Sequence, residues 1–235
     1  MTPVQTAKFL SSFIIVYFLS INILNAQKDE INKTTEEYNN SSYLTMNVLS
    51  PLNTKSPRWR FGYIKNINDR WKVGFDVGYG NHSLTFYDLG DNYELWEVRP
   101  EFYYFFKTKR RTKKYLSVEP FYIHHKDLFF DGTYFPENGE SLSYDKVDYK
   151  RQKYGINFKY GFIFNSKKRI GFNLYTGLGI RIRKNTFTNT VNPEIVDLGP
   201  EGGDMFGFDN YRRVEGNNFG GNFVLGLKIY YRSNK

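Results

Sequence analysis

Between Tyr154 and Arg183 apolar and polar residues alternate along the chain. In the first arm Tyr154, Ile156, Phe158, Tyr160, Phe162 and Phe164 share one face, and Lys153, Gly155, Asn157, Lys159 and Gly161 share the other. Asn165-Ser166-Lys167-Lys168 turns the chain. The second arm sets Ile170, Phe172, Leu174, Leu178, Ile180 and Ile182 against Arg169, Gly171, Asn173, Gly177, Gly179, Arg181 and Arg183. A period of two held this long predicts strands, because successive strand side chains leave on opposite sides of the sheet. Both arms exceed the usual globular strand of about five or six residues.

The placement of glycine decides which face is inside. The glycines lie on the polar face, beside Arg and Lys. Facing water they would only weaken the strands, since glycine loses most entropy on ordering and packs nothing. Inside a narrow barrel they make room for large neighbours such as Arg and Lys. The opposite face is aromatic and aliphatic and carries no charge, which suits lipid. A water-soluble, lipocalin-like barrel is the rival arrangement and needs the charged, glycine-bearing face outside.

The same alternation marks further strands at 43–49, 58–65, 71–79, 93–107, 115–130 and 219–231. The clearest is Trp71–Tyr79, with Trp71, Val73, Phe75, Val77 and Tyr79 outward and Lys72, Gly74, Asp76 and Gly78 inward. Counting the central hairpin, eight strands result: an all-β, eight-stranded, antiparallel, up-and-down transmembrane β-barrel. Tight connections at 66–70, 108–114 and 165–168 are expected on one side, and longer ones at 80–92, 131–146 and 184–218 on the other. Outward aromatics gather near strand ends as two girdles: Trp71, Phe106, Phe164 and Tyr231 near the tight turns, and Tyr79, Trp96, Tyr122 and Tyr154 near the long loops. Pro100 and Pro120 fall inside strands, where each removes a ladder donor, so a bulge or local break is expected there.

Composition adjusts this picture in a few places. Lys8 precedes an apolar run from Phe9 to Leu24 that ends Leu-Asn-Ala-Gln, the layout of a secretory signal peptide at 1–26. Residues 27–42 read as a flexible periplasmic leader, 43–231 as the barrel and 232–235 as a C-terminal tail. The chain has no cysteine, which excludes disulfides, thiolate metal sites and a lipidated N-terminus. An aromatic content of 19% fits girdles, and a mean hydropathy of −0.58 is no obstacle when half of every strand faces a polar interior. The net charge of +9 falls to 9 − 1 = +8 once Lys8 is removed with the signal. In an exported chain this surplus, including the run from Lys107 to Lys114, points to anionic headgroups or a solvated turn and not to nucleic acid.

Candidate chemistry is sparse. Lys72, Asp76, Glu97, Arg99, Glu101, Glu119, Lys159, Arg181 and Lys228 point inward and are expected to form an interior charge network, because an eight-stranded interior is only wide enough for its own side chains and isolated charges there are costly. The acidic outer loops lack the ligand spacing of a calcium loop, so solvated loops are expected, with divalent-cation binding as the alternative, and no metal site or cofactor is assigned. His82-Ser83, with Asp88 near, is the one local arrangement that suggests hydrolytic or transfer chemistry, and His124-His125 with Glu119 is a weaker one.

The stretches WKVGFDVGYG, VRPEFYYFF, RQKYGINFKYG and YTGLGIRIR, with the closing Gly226-Leu227-Lys228-Ile229-Tyr230-Tyr231, carry a resemblance over residues 43–231. The chain resembles the small eight-stranded outer-membrane barrels of the OmpA-barrel and OmpX type, and looks most like exported Bacteroidota barrels that bear a domain-of-unknown-function label. The closing segment is similar to the C-terminal assembly signal of such barrels, although Arg232–Lys235 follow it. The resemblance implies a place in the cell outer membrane among lipid and lipopolysaccharide, folding by the barrel assembly machinery, and a monomer. A fold of this kind does not fix an activity. The expectation is a non-catalytic structural protein, or one that binds a surface partner through its outer loops. A lipid A-modifying enzyme is the alternative, and a narrow porin a weaker one.

Overall fold

The computed structural model describes residues 41–87, 89, 92–107, 112–137, 139–164, 168–196 and 210–233. The signal segment, the leader up to residue 40, the basic stretch 108–111, Asp88, Asp91 and the acidic stretch 197–209 lie outside the described residues.

The strands are β1 (Ser42–Asn47), β2 (Trp59–Asn66), β3 (Trp71–Asn81), β4 (Glu94–Phe105), β5 (Lys113–Tyr134), β6 (Leu142–Phe164), β7 (Ile170–Val191), the two-residue β8 (Glu194–Ile195) and β9 (Gly216–Ser233). Each long strand pairs antiparallel with the next. β7 passes to β9, and β9 pairs with β1, which closes an eight-stranded barrel; β8 merely extends the outer end of β6. A 3₁₀ turn (His82–Leu84) and one helical turn, α1 (Asn210–Arg213), lie in the long connections, and no helix among the described residues is long and apolar enough to cross a membrane.

The loop end departs from the sequence expectation, and the prolines take one of the two forms expected. The connection expected at 131–146 is only 135–141, because β5 and β6 run on to Tyr134 and Leu142, and β7 continues to Val191. These extensions hold one another by a small core of their own, Tyr134, Tyr144, Val147, Tyr149 and Phe187, in which Tyr134 stacks on Phe187 at 4.4 Å. At the prolines, the β4–β5 ladder is interrupted between Val98↔Tyr122 and Phe102↔Val118 without a register shift, which sets Pro100 opposite Pro120. The missing donors therefore cost a local break and no bulge.

The wall separates two chemistries. Outside, Phe61, Phe75, Val77, Phe102, Leu116, Phe158, Leu174, Leu178, Phe223 and Leu225 are exposed. Inside, charge and aromatic rings are stacked in layers. At the end bearing the tight turns, Tyr43, Ile64, Tyr103, Phe105, Tyr115, Ile163, Tyr175 and Tyr230 fill the interior, each no more than 3% exposed. The inward glycines make room mainly for these rings and less for Arg and Lys. A Cβ on Gly226 would lie 2.1 Å from Tyr175 Cζ, and one on Gly161 2.2 Å from Tyr115 Cζ. A tyrosine in a narrow barrel needs a facing position with no side chain, and the strand across the ladder supplies it.

Candidate functional site

Above the aromatic layer runs a continuous chain of ion pairs. Lys228 Nζ lies 2.6 Å from Asp76 and 3.7 Å from Glu101; Lys159 Nζ lies 2.6 Å from both Glu101 and Glu119. Arg99 bridges Glu119 and Glu97 at 2.8 Å each, and Glu97 also meets Arg58 at 2.7 Å and Arg60 at 3.6 Å. The carboxylates are supported further. Glu119 accepts from Asn157 Nδ2 at 2.9 Å, and Glu101 accepts from Ser117 Oγ and Tyr103 Oη at 2.6 Å each. Tyr175 forms the floor, with Lys159 Nζ 4.5 Å and Lys228 Nζ 5.6 Å from its ring centre. Neutralisation by several partners is what lets buried charge persist, since one unpaired ion costs several kcal/mol.

Of the nine inward charges named from the sequence, Asp76, Glu97, Arg99, Glu101, Glu119, Lys159 and Lys228 lie in this chain. Lys72 sits apart at the turn end, where its Nζ donates to Ser41 O and Asn66 Oδ1 beside the Tyr43 and Phe105 rings. Arg181 lies nearer the loop end, its Nη1 donating to Asn222 Oδ1 at 3.4 Å.

Over the ion pairs the barrel opens into a cavity of about 660 Å³. Arg58, Arg60, Arg99, Arg151, Lys153 and Arg181 line it, with Lys55 at the rim, and among the described residues no carboxylate does. Lys153 Nζ donates to the same Asn222 Oδ1, at 3.1 Å, that Arg181 uses. Sequence parity places Lys153 inside, and Arg151 two residues earlier by the same rule. Arg58 immediately precedes β2 and shares the inward parity of Arg60, although neither is among the nine inward charges named from the sequence. Tyr175 shares the inward face of the second arm, but its class gave no sign of a polar interior.

Beyond the exposed apolar residues, His125 is fully buried between Tyr93 and Tyr149, with ring centres at 5.2 and 5.6 Å. Its Nε2 is 3.5 Å from Asp127 Oδ2. Burial, reinforced by Arg151, Arg212 and Arg58, holds the imidazole well below its ordinary range and hence neutral. Burial pushes the Asp127 carboxyl up to about 6, against the Leu128 N–H, Arg212 and Arg151. His124 points the other way and stacks on Trp96 at 5.6 Å. It is therefore across the wall from Glu119, and His125, on the same side as Glu119, is six residues or about 20 Å away along β5. His82 and Ser83 sit in the 3₁₀ turn, Ser83 exposed to solvent, and the Asp88 considered with them is outside the described residues. Among the described residues no three His, Cys, Asp or Glu side chains are grouped as metal ligands would be.

The fold and its interior define a small antiparallel β-barrel with a charge-paired core and a cationic chamber at one end. The chain matches no known protein-family profile, no curated protein and no solved structure.

Proposed function

We propose that this chain is an outer-membrane β-barrel of non-catalytic type, closed to ions, which acts by binding at its loop end. The observation that carries the reading is the outward apolar band. On β6 it runs from Tyr154 to Phe164, and 164 − 154 = 10 steps of about 3.3 Å at a tilt of about 40° give a height of about 25 Å, the thickness such barrels present to lipid. Among the described strand residues, charged outward side chains fall at its margins, Lys65 and Lys114 on one side and Glu94, Lys126, Lys150 and Lys184 on the other. Exposed apolar area on this scale has no place on a monomer in water. The basic and aromatic ends fit headgroups and lipopolysaccharide, and the residues 1–26 fit export, after which the barrel assembly machinery would insert a monomer. The aromatic layer beneath the ion pairs supports a closed interior, which leaves the loop end as the working surface for a partner.

The test is flotation of the purified chain with lipid vesicles, a heat-modifiable shift on gels, and recording in planar bilayers. Insertion with a compact unheated band and no unit conductance is expected. A chain that stays in the aqueous fraction without detergent would overturn the membrane reading, and regular conductance steps would overturn the closed interior.

A further inference from the structure

We propose that the cationic chamber opens sideways through a notch in the barrel wall and holds the anionic headgroup of an acyl amphiphile, whose chain lies in the notch. The inference rests on the membrane reading above and names the ligand class of that loop end.

The notch follows from the shortness of β1. It pairs with β9 only from Ser42↔Ser233 to Asn47↔Lys228, and Val48 N donating to Leu227 O, at 2.8 Å, continues the seam by one bond. The chain then leaves the wall. Asn47 Oδ1 accepts from Leu49 N, Ser50 N and Ser50 Oγ, and Arg58 N returns to Ser50 O, so residues 48–58 fold away from the seam as a cap, whose Leu52 O, Lys55 O and Pro57 O accept from Tyr87 Oη, Arg212 Nη2 and Tyr93 Oη. Among the described residues β9 from Gly216 to Gly226 pairs on one edge alone, with β7. An unpaired edge of this length is a place where the sheet no longer separates inside from outside.

The cavity uses that edge. It is bounded by Asn222 and Val224, which point inward, and equally by Phe223 and Leu225, which point outward. At this stretch β9 has no second strand beside it among the described residues, so the cavity wall there is the strand's own edge. Gly220, on the inward face of this stretch, has only Arg181 Nε, at 3.9 Å, near where a Cβ would stand, and Gly221, on the outward face, has nothing within 4 Å. The glycines deeper in the barrel are crowded by comparison.

The two ends of this passage differ in chemistry. Leu49, Leu52, Phe223 and Leu225, exposed by 37% to 69%, frame the mouth. Lys153 and Arg181 stand at its inner lip on Asn222, and Arg99 and Arg151 lie beyond. An apolar mouth disfavours a fully hydrated anion, and a basic chamber repels a cation. What satisfies both is one molecule with an anionic head and an apolar tail. The chamber is within the range of about 300–1,000 Å³ usual for small-ligand sites, enough for a headgroup. A membrane phospholipid and a free fatty acid share this chemistry.

The full chain is first inserted in nanodiscs of neutral phosphatidylcholine and checked by flotation and heat-modifiable mobility; failure there overturns the membrane reading and this proposal together. Energy transfer from tryptophan then reports binding of fluorescent-tailed phosphatidic acid, of a fluorescent fatty acid, and of the matching fatty alcohol, with glycerol phosphate as the tail-less competitor. At least a tenfold preference for one or both anionic probes over the alcohol is expected, and whichever anion leads identifies the source. Glycerol phosphate should compete at least a hundredfold more weakly than the tailed anions. The double variant K153Q/R181Q should erase the preference. Gly220→Phe, which fills the notch from within, should weaken the tailed probes at least tenfold, and Gly221→Trp repeats that arm from the outer face should the first variant not insert. Equal binding of alcohol and anions by the inserted barrel, tail-less phosphate binding as well as the tailed probes, or inserted notch variants that bind like the parent would each overturn the proposal while leaving the membrane reading intact.

Discussion

Glu119 accepts hydrogen bonds from Arg99 Nη1 at 2.8 Å, Asn157 Nδ2 at 2.9 Å and Lys159 Nζ at 2.6 Å, and it is 1% exposed. Its ion-pair chain holds five cations, Arg58, Arg60, Arg99, Lys159 and Lys228, against four carboxylates, Asp76, Glu97, Glu101 and Glu119. Glu119→Ala leaves five against three. Removing one partner of a buried pair costs about 3–5 kcal/mol, and because Arg99 keeps Glu97 and Lys159 keeps Glu101, the lower end, about 3 kcal/mol, is expected. Glu119→Gln keeps a carbonyl acceptor for Arg99 and Asn157 but turns its amide NH2 toward Lys159 Nζ in place of an accepting oxygen, so it loses the charge and one charge-assisted hydrogen bond, and about 2 kcal/mol is expected. Urea titration in vesicles, followed by tryptophan fluorescence and by the unheated band on gels, measures both. The slope with urea should not change, since the same surface is exposed on unfolding. Alanine within about 0.5 kcal/mol of the parent, or no worse than glutamine, would refute a cluster held by mutual neutralisation. Conductance should stay at zero in both variants, because the tyrosine layer lies below the altered position; single-channel steps would refute that layer as the seal.

Other perturbations have equally definite outcomes. Gly226→Ala drives a methyl into the Tyr175 ring and should cost about 1–3 kcal/mol, part of it recovered in the double variant with Tyr175→Leu; no recovery in urea titration would mean that the clash is not with that ring. Replacing Tyr103, Tyr115 and Tyr175 together by Ala should open measurable conductance in planar bilayers, and silence would place the seal elsewhere. Asp127 has a folded pKa raised to about 6 over a reference of 3.8, so the folded form binds the extra proton between those values, and the hairpin beyond the band loses stability as pH rises from 4 to 6. Hydrogen exchange of the β5–β6 amides near Asp127, corrected for intrinsic rates, should show this decline, and Asp127→Asn should remove it.

Strands and their sidedness were legible because two signals agreed at each position. Alternation located Trp71–Tyr79 and the central hairpin, and glycines beside charges identified the inward face, where Gly78 and Lys159 are indeed buried. The extensions of β5, β6 and β7 were not legible, because beyond the apolar band both faces carry polar residues and hydrophobic period is lost while backbone pairing continues. Tyr103, Tyr115 and Tyr175 were hidden for the opposite reason: an aromatic residue on the inward parity reads from sequence as an interruption, although its hydroxyl lets it lie among charges, as Tyr103 does on Glu101. The ion-pair residues could be named from parity alone. Their order could not, since partners such as Asp76 and Lys228 meet only through the closure of the ring. The notch depends on where β1 stops, which is set by Asn47 folding back on Leu49 and Ser50, a local event with no periodic signature.

The seams of the cylinder are of very unequal length. β5 and β6 meet through Lys113↔Ile163 to Tyr134↔Leu142, whereas β1 is a low stave joined from Tyr43↔Ile64 to Asn47↔Arg60 on one side and from Ser42↔Ser233 to Asn47↔Lys228 on the other. Loop-end hairpins therefore form a tall, stiff flank, and the opposite flank is short and compliant. Because the first and last strands border that flank, the final zip of the ring is also its weakest, and mechanical pulling on either terminus should unlatch the cylinder there before any hairpin on the tall side gives way.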